Sequence, residues 1–289
     1  MFIISLYLSI ILLSGAQSLS VKLYNRQHEH DLLFNVVRAA AALFMFILIG
    51  INGFSFHLPT LAYGVAFGAL LCIATYCGHK ALSCGPLSMT SPLVAYSLII
   101  PTIYGIAFKN EPFTTNIIIG LICLLVSIVL FAIPVTKNAD KNEKNTTSFR
   151  WIVYVAITFL CNGFNSVLQK EYQSYYSNAY NDEFMIYAMA LSLFVFGGMF
   201  FSKKDSLTVW KQEKGKGYAV FAGVANGGAN FLTLYLAKIE NASVMYPIIS
   251  AGSLLMAMLC GVIIFREKQT ISRIFAFVLG VTAAVFLKI

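Results

Sequence analysis

The chain has 289 residues, of which 58% are hydrophobic and only 11% charged, with a mean hydropathy of +0.77 and a net charge of +8. A soluble globular domain carries about 25% charged residues, so there is too little charge here to cover a water-facing surface, and the bulk solvent is lipid. No basic face on a soluble domain, no phosphate-cradling glycine loop and no zinc motif occurs, which excludes a nucleic-acid binder, an ATP-driven pump acting alone and a resident cofactor.

Apolar runs of about 20 residues cross a bilayer, and lipid offers the backbone no partner, so such runs are helices or closed barrels. The runs here are continuous rather than alternating, which selects helices. Ten are legible: residues 2 to 21, 32 to 51, 60 to 79, 86 to 108, 115 to 134, 151 to 170, 183 to 202, 217 to 237, 243 to 265 and 271 to 288. The first ends near a small-residue S-G-A-Q-S segment, as a signal peptide would, but has no positively charged start. It also matches the sixth run and is therefore read as part of the fold.

An offset of 148 aligns Gly15, Ser18, Lys22 and Tyr24 with Gly163, Ser166, Lys170 and Tyr172, with Gln17 opposite Asn165. An offset of 150 aligns Phe34, Ala40, Leu43, Phe44 and Phe46 with Phe184, Ala190, Leu193, Phe194 and Phe196. An offset of 156 aligns Ala81, Met89, Ala95, Gly105 and Glu111 with Ala237, Met245, Ala251, Gly261 and Glu267. The chain thus reads as a duplication, residues 1–135 and 150–289, joined by a polar linker at 136–149. Five spans per copy is an odd number, so the second copy enters the membrane from the opposite side. The expected fold is all-α, with ten transmembrane helices as two inverted five-helix repeats, the architecture of secondary transporters.

These features, together with G-x-x-S in the first run, Arg38 early in the second, and a proline-containing fourth run ending in Glu111 with its echo ending in Glu267, resemble the EamA-type members of the drug/metabolite transporter superfamily. The resemblance implies a carrier of small metabolites or drugs with a central cavity walled by runs 1, 3, 4, 6, 8 and 9. It implies no particular substrate.

Polar residues inside spans are costly and are the default site candidates. Gln17 and Ser18 of run 1, Tyr76 and His79 of run 3, Tyr96 of run 4, Asn162 and Asn165 of run 6, Asn226 and Asn230 of run 8 and Tyr246 of run 9 form the expected substrate lining. Several repeat at helical spacing, as Asn162, Asn165 and Gln169 do. The competing use of such residues is interhelical hydrogen bonding worth about 0.6 kcal/mol each. Arg38 shares a face with Asp31 and either snorkels toward it or anchors an anion. Glu111 and Glu267 stand before runs 5 and 10, where a carboxylate favours a helix N-terminus, with a gating ion pair as the rival reading.

No Asp or Glu lies mid-span, which disfavours lipophilic cations as cargo and favours neutral, zwitterionic or aromatic solutes. The expected function is a secondary transporter of a small organic metabolite, amino-acid-like or aromatic, in the cell membrane. The alternatives are a multidrug efflux carrier or a non-transporting sensor or assembly subunit. An intramembrane enzyme would need a convergent acid or base set, and only His79 is available. The H-E-H-D segment, His28 to Asp31, lacks a second ligand group for a metal, and the six cysteines read as small apolar fillers. Ala276, Gly280 and Ala284 make a small-residue stripe that seats run 5 or makes a homodimer. Sixteen of the 20 Lys and Arg lie on the side of the loops after runs 1, 3, 5, 7 and 9, which puts both termini outside the cytoplasm.

Overall fold

The computed structural model describes residues 2–27, 30–50, 53–84, 90, 94, 96–132, 149–177, 179–264 and 271–288. Among these residues there are eleven α-helices, one 3-10 turn at Tyr96–Leu98 and no strand. The helices are α1 (Phe2–Gln27), α2 (Asp31–Gly50), α3 (Leu58–Cys84), α4 (Ile99–Phe108), α5 (Thr115–Ala132), α6 (Phe149–Tyr176), α7 (Asn181–Phe201), the short α8 (Ser206–Gln212), α9 (Lys216–Ile239), α10 (Ala242–Ile263) and α11 (Ile271–Lys288). Each predicted run carries a helix, and α8 lies between the seventh and eighth runs. Much of the fourth run, the linker, His28, Glu29, Glu267 and the side chain of Tyr96 lie outside the described residues.

Six helices, α1, α2, α3, α6, α7 and α9, are long and apolar enough to cross a membrane, and α4, α5 and α11 carry shorter apolar segments. Only 22% to 50% of the most apolar window in each long span is buried, so at least half of each such window is left for lipid. Phe44 and Phe194, for example, are 64% and 79% exposed. Two groups of the same oil do not attract in oil, so helices here are held by close packing and by polar contacts rather than by expulsion from water.

The chain folds into two compact units, each drawn from both halves of the sequence: Met1–Cys72 with Leu168–Ile239, and Ile73–Val167 with Glu240–Ile289.

In the first unit α1 packs on α9, and α2 packs on both α7 and α9. α2 and α7 run antiparallel. Phe34 at the start of α2 shares a cluster with Phe196 and Phe200 at the end of α7, while Phe46 near the end of α2 shares another with Phe184 and Met185 at the start of α7. Glycines set the approach. A methyl on Gly223 of α9 would collide with the Arg38 carbonyl, and methyls on Gly64 and Gly68 of α3 would come within 2.8 Å and 2.7 Å of the Phe184 and Ala188 carbonyls.

Two tyrosines fasten the turns of this unit. The Tyr24 hydroxyl donates to the His30 carbonyl at 3.1 Å, and its ring lies 4.7 Å from Phe34. The Tyr172 hydroxyl donates to the Ala179 and Tyr180 carbonyls at 2.8 and 3.2 Å, and its ring lies 4.8 Å from Phe184. Its oxygen also pairs with the Thr60 hydroxyl at 3.1 Å.

In the second unit α10 packs on α4, α5 and α11, and α5 runs antiparallel to α11. Ser127 donates to the Ala276 carbonyl at 2.6 Å, Ser272 donates to the Leu130 carbonyl at 3.1 Å, and a methyl on Gly120 would press on Leu287 and on the Ala283 carbonyl. Gly280 faces Ser127 and Leu255. Ala276 and Gly280 thus face α5, one of the two uses the small-residue stripe allows.

Candidate functional site

In the first unit an amide pair lies between α1 and α9. Asn226 Nδ2 donates to Gln17 Oε1 at 3.1 Å, and Asn230 Nδ2 donates to the Asn226 carbonyl one turn earlier at 2.9 Å. The intervening glycines explain the geometry: Gly227 faces Met45, Phe46 and Ala42 of α2, and Gly228 faces Leu13 of α1. Both helices therefore come close enough for short amide side chains to meet. All three amides are partly exposed. Ser18 does not join them: it is exposed, and its hydroxyl turns back to the Ser14 carbonyl at 2.9 Å.

Arg38 sits where α2 crosses α9, on the helix segment whose carbonyl Gly223 accommodates. Asp31, the residue that shares its helical face in the sequence, is exposed at the start of α2. Cys72 of α3 donates to the Ser192 hydroxyl at 3.5 Å.

In the second unit the Tyr246 hydroxyl of α10 donates to the Ser166 carbonyl of α6 at 2.6 Å, so this buried phenol holds two helices together. Asn162 accepts the Ser166 hydroxyl on its own carbonyl at 3.3 Å. Asn165 is 7% exposed, and its Oδ1 has no hydrogen-bond partner. On the same helix Gln169, which sequence reasoning places only as part of a stripe, is 3% exposed with its Nε2 unpartnered. Buried amide groups are almost always satisfied, so these two open groups, like Asn35 Oδ1, Tyr187 OH and Ser243 Oγ elsewhere among the described residues, are candidates for an external partner.

On α3 Tyr76 is 39% exposed beneath the Lys80 ammonium, 5.8 Å from its ring centre, and His79 is partly exposed.

Glu111 does cap a helix, but not the one that follows it. Its carboxylate accepts the Ala242 and Ser243 N–H groups at 2.7 and 2.8 Å, at the start of α10. The chain turns there through Asn110, at φ 52°, and brings the carboxylate back over Gly105, whose missing Cβ leaves room for it. The macrodipole and two orphan N–H groups of α10 favour that charge.

A polytopic helical bundle, spans packed through glycines and amide groups left open inside them define a multi-pass membrane transporter. The chain belongs to the sugar transport protein family, whose model matches residues 9–289 and which is a family of transporters rather than enzymes. A solved structure described only as a crystal structure of a protein shares the fold, with a TM-score of 0.76 over 97% of this chain and 94% of that one at 14% identity. No curated protein matches the chain.

Proposed function

We propose that the chain is a secondary transporter working by alternating access, built as ten spans in two inverted EamA-like repeats, whose cargo is a small neutral solute of the sugar class. The observation that carries this reading is the antiparallel packing of repeat mates. Under the sequence offsets run 2 is equivalent to run 7 and run 5 to run 10. Inversion requires such mates to run in opposite directions, as α2 and α7, and α5 and α11, do. The two tyrosine fastenings support it further, since offsets of 148 and 150 convert Tyr24, His30 and Phe34 into Tyr172, Tyr180 and Phe184. Two inverted copies can exchange conformations and so present one site to either side of the membrane in turn.

The cargo class rests on the family's name and on the chemistry of the spans. Glu111, Glu183 and Glu213 are the buried carboxylates among the described residues, and each accepts backbone N–H groups near a helix end, which leaves no mid-span anion for a cation. Amides offer donors and acceptors together, as hydroxyl groups require of a partner. The charge bias supports a cell-membrane carrier with both termini outside the cytoplasm.

Purified protein in liposomes, assayed by counterflow with labelled hexoses, pentoses, amino acids, aromatic metabolites and lipophilic cations, tests this. Saturable counterflow of a sugar is expected. Exchange confined to amino acids or aromatics would return the cargo to the narrower sequence expectation, and exchange confined to cations would sink the neutral-solute reading in favour of multidrug efflux.

A further inference from the structure

We propose that the connector between α7 and α9, residues 202–215, is a docking surface for anionic phospholipid headgroups. Both flanking helices are long enough to span the bilayer, so the connector lies at the membrane boundary.

The short helix α8 within it has two unlike faces. Ser206, Val209 and Glu213 turn inward: Ser206 and Glu213 are buried, and Val209 packs on the cluster that holds Phe196 and Phe200. Leu207, Trp210 and Lys211, at i, i+3 and i+4, occupy the opposite, exposed face, with Leu207 66% and Trp210 36% exposed, and Lys214 is exposed in the extended segment just after the helix. Lys203 and Lys204 are exposed just before it.

The face is held in place from both sides. Lys216 Nζ donates to the Trp210 carbonyl at 2.7 Å and stands 5.4 Å from its ring centre, while the rings of Phe200 and Phe201 each lie 6.3 Å from that of Trp210. Lys203, Lys204, Lys211 and Lys214 have no side-chain partner among the described residues. The carboxylates nearby are Asp205, exposed at the start of α8, and Glu213, whose Oε1 accepts the Gly215 N–H at 2.8 Å. Beside the end of α8 a cavity of about 230 Å³ is lined by His30, Val209, Gln212, Glu213 and Lys214.

Lysines alone would suit any polyanion. A tryptophan and a leucine on the same exposed face need an apolar neighbour, and the headgroup boundary of a bilayer supplies both at once. Basic side chains near such a surface each contribute about 1 kcal/mol of attraction to anionic lipid.

The chain has two tryptophans, and Trp151 is buried with its Nε1 donating to Thr90, so Trp210 is a local reporter. The full-length protein is reconstituted in phosphatidylcholine vesicles containing brominated phosphatidylglycerol, or brominated phosphatidylcholine at equal mole fraction, and the W210F signal is subtracted. Stronger quenching by the glycerol lipid is expected. The triple variant K204Q/K211Q/K214Q should weaken that preference at least five-fold. K137Q/K141Q/K144Q, which removes the same charge from the linker, should keep it. Equal quenching by the two lipids, or the same loss in the linker variant, would overturn the proposal. Size-exclusion profiles of each variant verify that it is folded.

Discussion

Tyr172 fastens the turn from α6 to α7 as Tyr24 fastens the turn from α1 to α2: each hydroxyl donates to a carbonyl just before the next helix, and each ring rests on the first aromatic residue of that helix. Tyr172 also donates to a second carbonyl and pairs with the Thr60 hydroxyl. Removing either hydroxyl leaves a carbonyl short of a donor, at about 1 kcal/mol per hydrogen bond. Thermal unfolding in detergent should therefore show both Tyr24→Phe and Tyr172→Phe losing stability, and an unchanged melting temperature in either variant would mean that its fastening contributes nothing.

Gly223 is the point at which α9 meets the main chain of α2. Gly223→Ala drives a methyl into the Arg38 carbonyl and is expected to abolish the monodisperse peak in size-exclusion chromatography. A methyl on Gly217, at the start of the same helix, would meet nothing within 4 Å, so Gly217→Ala should be neutral or slightly stabilising, by up to about 1 kcal/mol of helix propensity.

Asn165 presents the opposite case, a buried acceptor with nothing to lose. Because its Oδ1 makes no hydrogen bond among the described residues, Asn165→Ala should leave folded yield near wild type while lowering solute counterflow roughly ten-fold, the equivalent of one lost hydrogen bond. Full counterflow in that variant removes Asn165 from the site. Gln17→Ala and Asn226→Ala break one bond between them, so their effects on stability should fall short of additive in the double variant.

At Glu111 the carboxylate serves two N–H groups of a helix 131 positions away. Glu111→Ala should cost about 2 to 3 kcal/mol, as expected when charged acceptors leave buried donors unpaired. Glu111→Gln, which retains a single acceptor oxygen, should fall between. Indistinguishable melting temperatures for Gln and wild type would show that the charge is immaterial to this cap.

The proposed duplication is legible wherever the contact demands a particular chemistry. A tyrosine hydroxyl reaching a carbonyl, or a phenylalanine filling a fixed gap, keeps its identity in both copies, and Phe34, Phe46, Phe184 and Phe196 are all buried where the offset pairs them. Runs 5 and 10 show the limit. Gly120 against Ala283 and Ala276 against Ser127 exchange under an offset of 156, but such a contact asks only for a small residue, so identity does not register it. Ser18 and Tyr76 escape the pattern for another reason. Helical spacing tells which residues share a face, yet in a span apolar on every side it does not tell which face meets protein and which meets lipid. The destination of Glu111 depends on a left-handed turn at Asn110, which nothing in its immediate sequence distinguishes from the start of run 5.

Where α3 crosses α7, Gly64 faces the Phe184 carbonyl and the Tyr187 Cβ, and Gly68 faces the main chain of Ala188. Lipid tails are too thick for such a seam, and drawing the two helices apart would leave a slit that neither solvent nor acyl chain could fill. In the alternating-access cycle proposed above, the early part of α3 and α7 are therefore expected to travel as one slab, with the hinges outside that seam.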